Sequence, residues 1–349
     1  MPRHATLLLL CAFAAGCGAE DRTPATNEPD NSGWSLSLDN DVFSFTKHDR
    51  DYTGGLSLSL AGRRVARWPL SLDRPLAAID RGLGLDDAER DGRLRLHSLQ
   101  LGLAAFTPDD IAEAAMQPDD RPYASLLYLA NTRMLLAADR RSASERTLTV
   151  GLLGLHLSGD LHGQLHDVIG VNRPAGWRHQ ISAGGEATFR YSGGAQYLLS
   201  GHPGRELKLA WEAGAGYLTE ASGALSLRMG RLNTPWWSFT PDRSEYFAQP
   251  TPGLLIPPDG PRELYVWTGL KLRARLHNAF LQGQFRDSAV SYDADQLYPL
   301  LLEGWVGVTG QVGAHYRLGW VLRYQSPEIR AGDGRRELLW GSLFLSRYF

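Results

Sequence analysis

The sequence predicts an all-β protein, an antiparallel transmembrane β-barrel of about twelve strands with a short helical extracellular loop. After Trp34, apolar and polar residues alternate in segments of about ten residues, separated by Gly, Pro, Asp and Asn. In many segments one face is Leu, Val, Trp or Phe and the other is Gly, Ser, Thr or charged, as on the lipid and lumen sides of a barrel. No run of about eighteen apolar residues follows Trp34, which excludes helical membrane spans.

Composition supports a folded chain and excludes one class of partner. The 349 residues are 43% hydrophobic and 21% charged, which is ordinary for globular proteins. A length near 350 suits two average domains, but long β-barrels also run as one domain. The formal charge of −2 provides no electrostatic footprint for nucleic acid, so we expect no nucleic-acid partner.

The N-terminus has the pattern of a targeting segment. Arg3 and His4 precede an apolar stretch and then small residues, which predicts a signal peptide over residues 1–19. Ala14-Ala15-Gly16-Cys17 also resembles a lipoprotein site with Cys17 as the lipidated residue, and ordinary cleavage near Ala19 is the alternative. Cys11 and Cys17 are the chain's two cysteines, so the mature body has no disulfide or thiol site. Residues 20–32 are polar and predict a flexible leader.

The barrel is predicted to cover residues 33–349. Two short alternating runs, 34–39 and 55–60, read WSLSLD and GLSLSL. Dividing the longer runs at their turns gives about twelve strands. These longer runs are 94–106, 124–136, 146–157, 206–218, 224–232, 263–285, 304–324 and 338–349.

Individual side chains extend this prediction. One strand face carries Lys271, Arg273 and Arg275, which are predicted to line a polar lumen. The terminal Phe349 resembles the assembly signal of outer-membrane barrels. A soluble sandwich also alternates, but it seldom repeats so many units of this length. Aromatic residues at strand ends predict girdles at the membrane surfaces: Trp34, Tyr123, Trp211, Tyr217, Tyr265, Trp305, Tyr324 and Trp340.

Three loops are candidates for chemistry, near residues 40–55, 107–122 and 159–180. The first, NDVFSFTKHDRDYTGG, crowds carboxylates, an amide and a hydroxyl between two strands, although the same residues also form ordinary turns. Residues 107–120 predict a short helix or a lid. In the third loop, apolar residues at helical spacing predict a helix that ends before Gly170 and Pro174. His162 and His166 lie four residues apart on it.

Several short blocks in order resemble the outer-membrane lipid A 3-O-deacylase family. They span residues 34 to about 190 in the family's order and spacing, and together they are far more specific than any one of them. The blocks are Asn40-Asp41, Asp49-Arg50-Asp51-Tyr52-Thr53-Gly54-Gly55, Phe106-Thr107-Pro108, Asp120-Arg121-Pro122-Tyr123-Ala124, and His166-Asp167-Val168-Ile169-Gly170 with Pro174, Gly176-Trp177 and Gln180.

The resemblance implies a twelve-stranded outer-membrane barrel that removes the 3'-acyloxyacyl group of lipid A in a calcium-dependent reaction. It places the active site between the wall and a helical extracellular loop, and we expect a monomer whose partners are lipid A of the outer leaflet and the membrane itself. Asn40, Asp41, Thr53 and His166 match the family's functional positions. Asn172 stands where a carboxylate is expected, and the 107–117 loop lacks the expected basic residue; these departures concern metal affinity and substrate preference.

Ester hydrolysis assigns roles to these residues. A neutral imidazole suits a base near neutral pH, which predicts His166 in that role, oriented by Asp41. Ca²⁺, bound by Asn40, Asp41 and backbone carbonyls around residues 52–54, would stabilise the oxyanion. Thr53 would position water or donate to the oxyanion. Asn40, Asp41 and Thr53 should therefore converge on His166 within about one water's reach.

Other readings of these residues stay open. Arg121 and Tyr52 are predicted to bind substrate, Arg121 through a lipid A phosphate. The alternative for Arg121 is a snorkelling interfacial arginine. His166 could be a solvent-facing rim histidine, and His162 is predicted to be a plain surface residue. His156 and Ser158, two apart on a predicted strand, raise the alternative of an outer-membrane phospholipase with a serine nucleophile. A non-enzymatic pore or structural barrel is the third reading.

Overall fold

The computed structural model describes residues 28–44, 50–85, 94–169, 173–247 and 262–348. Twelve antiparallel strands form a closed barrel in which each strand pairs with its neighbours in sequence and β1 pairs with β12, as predicted. The strands are β1 Gly33–Asn40, β2 Asp51–Ala61, β3 Leu94–Thr107, β4 Ala124–Leu136, β5 Ser142–Leu153, β6 Glu186–His202, β7 Arg205–Gly216, β8 Leu218–Arg231, β9 Leu264–Asn278, β10 Leu300–Val312, β11 Tyr316–Gln325 and β12 Leu338–Tyr348.

The helices lie in the connections between strands. They are α1 Asp73–Gly82, α2 His156–Ile169 and the single turn α3 Ala279–Gln282, together with short 3₁₀ turns at Asp41–Ser44, Arg63–Arg67, Trp177–His179, Trp236–Ser238 and Ala294–Gln296. In the described part of the chain, no helix is long and apolar enough to cross a membrane.

The two ends of the barrel differ. The end where β1 starts and β12 finishes carries the short connections 137–141, 203–204 and 313–315 together with two long ones, 62–93 and 232–263. Tight turns such as the first three are typical of the periplasmic side of outer-membrane barrels. The opposite, extracellular end carries the loops 41–50, 108–123, 154–185, 279–299 and 326–337.

Side chains alternate between the outside of the wall and the lumen, as predicted. On β9, Leu264, Leu270 and Leu272 are exposed on the outside, whereas Lys271 and Arg273 are buried in the lumen. The prediction for Lys271, Arg273 and Arg275 is therefore confirmed. Their charges are balanced by lumenal Glu220, Glu303 and Glu328.

Two strand assignments differ from the pattern. β6 was not among the predicted runs, and it contains the glycine pair Gly193-Gly194. A Cβ on Gly194 would lie 2.2 Å from the backbone carbonyl oxygen of Trp211 on β7 and 2.5 Å from a guanidinium nitrogen of Arg243. This glycine therefore allows close approach of both the neighbouring strand and a lumenal side chain. The run 263–285 is one strand rather than two, because Asn278 ends β9 and its side chain accepts a hydrogen bond from Phe280 N (3.0 Å) at the start of α3.

The predicted aromatic girdle is mostly wrong. Trp211 and Tyr324 are exposed on the outside, but the majority of the set are buried within the protein: Tyr123, Tyr217, Tyr265, Trp305 and Trp340. Sequence position near a strand end does not distinguish the two faces of the wall, and these rings occupy the inner one or lie beneath the loops.

The lumen is filled by a segment that the strand pattern does not reveal. Residues 232–247, which we call the plug, leave the periplasmic end of β8 and pack inside the barrel. Trp236 and Trp237 pack with Leu96 and Met134 near the periplasmic rim, whereas Tyr246 reaches the aromatic cluster at the extracellular end. A cavity of about 130 Å³ remains between the plug and the wall strands β1, β11 and β12.

Most of the N-terminal segment lies outside the described residues. The predicted signal peptide, Cys11, Cys17 and the leader as far as residue 27 lie outside the described residues, as does Phe349. The end of the predicted flexible leader is packed: Glu28 is buried and accepts hydrogen bonds from the backbone N of His97 and its Nδ1 (2.5 and 2.7 Å).

We predict that Glu303→Gln strongly destabilises the barrel. The fully buried Glu303 carboxylate accepts hydrogen bonds from Arg323 and Arg273 (both 2.7 Å) and lies 3.6 Å from Lys271. Removing its charge leaves three buried cations undercompensated, which should cost about 3 kcal/mol or more. Urea unfolding in detergent measures the change. Exposed Glu337→Gln is the matched control, and equal effects of the two changes would contradict this account of the lumen.

Candidate active site

Leucine rows on the outside of the wall lead up to the predicted site. Strand register places Leu36, Leu58 and Leu101 in one row and Leu38, Leu56 and Leu103 in the next. Side chains alternate, so the next residues on this outer face are Asn40, Gly54 and Ala105. We call the two leucine rows the leucine ladder. Polar side chains therefore begin where an apolar, membrane-facing surface ends.

Asn40 and Asp41 stand at the end of β1, where the chain turns into a 3₁₀ turn. The Asn40 Nδ2 donates to the carbonyl of Thr53, and its Oδ1 accepts from Val42 N (2.8 Å). Asp41 is buried, and its Oδ2 accepts from Arg50 N (2.7 Å). Asn40 thus joins β1 to β2, and Asp41 holds the end of the loop between them.

Thr53 lies in an irregularity of β2. The pairing with β3 shifts between Asp51 and Gly54, and this bulge places Thr53 beside Thr107 of β3. The two hydroxyls share a hydrogen bond, and both side chains are buried. Thr107 fixes the position of the Thr53 hydroxyl, although sequence reasoning did not select it as a site residue.

A buried ion-pair network holds the start of this bulge. Asp51 has a positive φ of 65°, and its carboxylate accepts hydrogen bonds from Arg121 Nε (3.2 Å) and Arg336 Nε (2.9 Å). Arg336 also pairs with Asp120 (2.6 Å), and Arg121 with Glu328. Two extracellular loops, 108–123 and 326–337, are therefore tied to each other and to Asp51, the residue that precedes Tyr52 and Thr53.

The location of Arg121 corrects its sequence interpretation. Its side chain is 1% exposed, so it is neither a snorkelling arginine nor a group that reaches a phosphate at the surface. Burial lowers the pKa of Arg121, but the Glu328 and Asp51 carboxylates outweigh burial and raise it above the usual arginine range. Burial raises the pKa of Glu328, but the Arg121 and Arg275 guanidiniums outweigh burial and lower this pKa below its usual value. Both groups are charged, and Arg121 acts as a structural cation.

Tyr52 is also interior. It is 1% exposed, its hydroxyl donates to Asp39 Oδ2 (2.9 Å), and its ring contacts Phe106, Tyr246 and Trp340. The structure therefore gives Tyr52 a packing contact with the plug, in place of the surface position that substrate contact requires.

The helical loop exists as predicted, in α2. His162 is 9% exposed and lies edge-on to Trp177, with ring centroids 5.9 Å apart, so its interpretation as a plain surface residue is wrong. Trp177 in turn packs on Tyr123 at 4.9 Å. His166 lies one turn after His162 in α2, but its side chain is outside the described part, as is Asn172. The convergence on His166 stays a prediction, whereas Asn40 and Thr53 are in contact.

His156 and Ser158 are not on a strand. A Cβ on Gly154 would lie 2.2 Å from the Ser182 carbonyl oxygen, and its φ is +68°, so only glycine fits there and β5 ends at Leu153. His156 and Ser158 follow in the first turn of α2, where His156 is exposed and Ser158 buried. Residues two apart on a helix do not face each other, which removes the strand geometry of the serine-nucleophile reading.

In the segment 107–120, Thr107 ends β3 and residues 108–120 form an irregular loop and no helix. Asp110 and Glu113 accept hydrogen bonds from Ala112 N (3.1 Å) and Ala115 N (2.7 Å), two residues ahead, and such local bonds compete with a helix. Ile111 O accepts from Ala175 N (2.8 Å), which joins this loop to the segment that follows α2. The predicted short helix is therefore wrong, and the lid alternative stays a prediction.

The oxygen donors near Asn40 fit only a weak calcium site. Over the described residues, no group of three or more His, Cys, Asp or Glu side chains could hold a metal. Asn40 Oδ1, the Asp41 carboxylate and backbone carbonyls of the bulge are hard oxygen ligands of the kind that Ca²⁺ binds. With one carboxylate, such a site would have low affinity.

Comparison with known proteins decides the family. The family described as outer membrane protein LpxR matches residues 6–349. This chain belongs to the LpxR family. The LpxR-family chain is therefore an integral outer-membrane protein, in agreement with its closed barrel. A search of curated proteins finds no match.

Among the solved structures that match, one supports the fold. LpxR from Salmonella typhimurium matches the LpxR-family chain with a TM-score of 0.67 and 17% identity, covering 91% of this chain and 100% of that one. An outer membrane channel from Pseudomonas putida F1 has a TM-score of 0.47 and 10% identity, with 95% and 100% coverage. The β domain of the Bordetella autotransporter BrkA has a TM-score of 0.44 and 10% identity, covering 92% of this chain and 100% of that one.

We predict that Asp51→Asn loosens the bulge of the LpxR-family chain. Asn tolerates a positive φ and keeps the shape, so the change removes only the charge that Arg121 and Arg336 share. Because each arginine keeps a second carboxylate, the cost should be about 2 kcal/mol. Hydrogen exchange of residues 50–54 should accelerate. Exposed Asp333→Asn is the control, and unchanged exchange in Asp51→Asn would contradict the role of the network.

Proposed function

We propose that this protein is an outer-membrane esterase that hydrolyses the 3'-acyloxyacyl ester of lipid A. The observation that carries the proposal is the position of Asn40 and Thr53 directly above the leucine ladder on the membrane-facing side of the wall. Lipid A lies in the outer leaflet, so its acyl chains would run along the ladder. The ester would then lie level with Asn40, Gly54 and Ala105.

The shape of that row supports an approaching ester. Gly54 and Ala105 are small, and a Cβ on Gly54 would lie 3.8 Å from Asn40 Nδ2, so no bulky side chain covers the amide from this row. The loops 108–123 and 154–185 extend above it, and α2 in the second carries His166.

Each residue would contribute one part of the chemistry. His166 would accept a proton from the attacking water as a general base, and Asp41 would orient its imidazole. Thr53, whose hydroxyl is fixed by Thr107, would position the water or donate to the oxyanion. A calcium ion held by Asn40, Asp41 and backbone carbonyls of residues 52–54 would supply positive charge at the ester carbonyl.

The structure weighs against the two alternatives. The phospholipase alternative requires His156 and Ser158 on one face of a strand, but both residues lie in α2 and on different sides of it. A pore needs a conduit, and the described plug fills much of the lumen with buried side chains, including Trp237, Asp242 and Tyr246.

We predict that expression in a Gram-negative host removes an acyloxyacyl group from lipid A, and that His166→Ala abolishes this loss. Removal of a general base should lower the rate by about a hundredfold or more. Mass spectrometry of extracted lipid A measures the acyl groups. His156→Ala, the same substitution on the exposed first turn of α2, is the matched control and should keep full activity.

Other outcomes identify the rival functions. Intact lipid A with Ser158-dependent hydrolysis of phospholipid would establish the phospholipase, despite the geometry. Intact lipid A with stable ion conductance in planar bilayers would establish the pore. Equal loss of activity in His166→Ala and His156→Ala would show that α2 matters only as a structural element.

We predict that a chelator abolishes acyl loss and that calcium restores it. Because the donor set holds one carboxylate, Asp41→Asn should raise the calcium concentration for half-maximal activity by about tenfold or more. Lipid A deacylation in isolated membranes across a calcium series measures this. Asp109→Asn, in the neighbouring exposed loop, should leave the calcium requirement unchanged, and activity that persists in the chelator would exclude the metal.

A further inference from the structure

A second polar region lies on the outside of the wall at the periplasmic end. Leu101 faces outward on β3 and is exposed. The next outward-facing residue toward the periplasmic end, Leu99, is only 4% exposed, and its partner on β4, Asn131, is 0% exposed. They are covered from outside by residues 62–85, the described part of the connection between β2 and β3, which we call the shelf. Ser71 Oγ of the shelf donates to Asn131 Oδ1 (3.1 Å), and Leu76 of α1 is fully buried.

The inner side of the shelf neutralises arginines of the wall. Asp73 accepts hydrogen bonds from Arg133 Nε and Nη2 (2.5 and 2.7 Å). Asp80 lies 3.8 Å from Arg133 and 3.7 Å from Arg146, and it accepts from Tyr191 Oη (2.8 Å). Charged side chains on the lipid-facing side of a barrel are costly unless they are paired. The acidic residues of α1 thus face the barrel.

The outer side of the shelf is basic and apolar. Arg64, Arg67, Arg74 and Arg81 are exposed, and within the described residues no carboxylate pairs with them. Large apolar side chains lie among them: Trp68 is 37% exposed, Leu70 68% and Leu83 57%. Cations interspersed with Trp and Leu on a short amphipathic segment are the features of elements that lie in a membrane interface.

The depth of the shelf matches the inner leaflet. Arg133 and Asn131 are three and five residues from the periplasmic end of β4 at Leu136. With a rise of about 3.3 Å per residue and a tilt of about 40°, they lie roughly 8–13 Å along the barrel axis from that end. We propose that the shelf is an in-plane anchor whose exposed arginines bind the headgroups of anionic phospholipids in the inner leaflet. Trp68 and Leu70 insert beside those headgroups, a role independent of lipid A hydrolysis.

The first test measures depth. A nitroxide label is attached to Leu70→Cys in the full chain with Cys11 and Cys17 changed to serine, reconstituted in nanodiscs of phosphatidylcholine and phosphatidylglycerol. Collision with oxygen should exceed collision with a water-soluble nickel chelate, as at the membrane reference Leu272→Cys. Nickel accessibility equal to that of the water reference Asp287→Cys would overturn the proposal and would instead indicate a shelf open to a soluble partner.

The second test measures headgroup preference. Native mass spectrometry counts phosphatidylglycerol against phosphatidylcholine retained from mixed nanodiscs. The triple change of Arg64, Arg67 and Arg74 to Gln should reduce the preference for phosphatidylglycerol by at least about tenfold. The matched control is a triple change to Gln of exposed arginines elsewhere at the periplasmic end, Arg205, Arg231 and Arg262, and it should change the preference little. Equal losses in both triples, or none in the first, would overturn the headgroup site.

Discussion

Closure of the sheet between β1 and β12 is the constraint on which the rest of the molecule depends. In hydrocarbon every backbone N–H and C=O needs a partner, and a closed barrel supplies one for every strand. β1 is the shortest strand, eight residues, and it pairs along its full length with β12 and nearly so with β2. Because both neighbours hold it, Asn40 at its end has a fixed height and a fixed distance to Thr53.

The plug and the extracellular site are parts of one packed interior. Tyr246 of the plug contacts the Tyr52 ring, and its hydroxyl donates a hydrogen bond to the Glu328 carboxylate, which binds Arg121. Arg121 then holds Asp51 at the start of the bulge that carries Thr53. The lumen therefore positions a site that faces the opposite side of the wall. A buried ion pair contributes little net stability, but removing one partner is costly, so this chain of contacts defines the geometry of the bulge.

Sequence periodicity predicted the barrel, the strand number and the outward leucines, because alternation records which face meets lipid. It did not predict what covers a side chain. Arg121, Tyr52 and His162 have surface-like sequence contexts, yet loops from distant parts of the chain bury them. Thr107 has its role because strand register places it beside Thr53. Glu328 has its role because a loop more than two hundred residues from Arg121 along the chain brings it to that side chain. β6 was missed, and its Gly194 accommodates Arg243, a contact that only the folded plug creates.

The two polar regions on the outside of the wall obey the same physical rule with different results. A polar group that faces lipid must find a partner. At the periplasmic end, Arg133 and Arg146 find one in Asp73 and Asp80 of α1, which lies over them. At the extracellular end, Asn40 and Thr53 find partners in one another and in Thr107, and they border an open leucine ladder. A lipid can therefore approach the upper region along the wall but not the lower wall beneath α1, so reaction with lipid belongs at the upper region and attachment at the outer surface of the shelf.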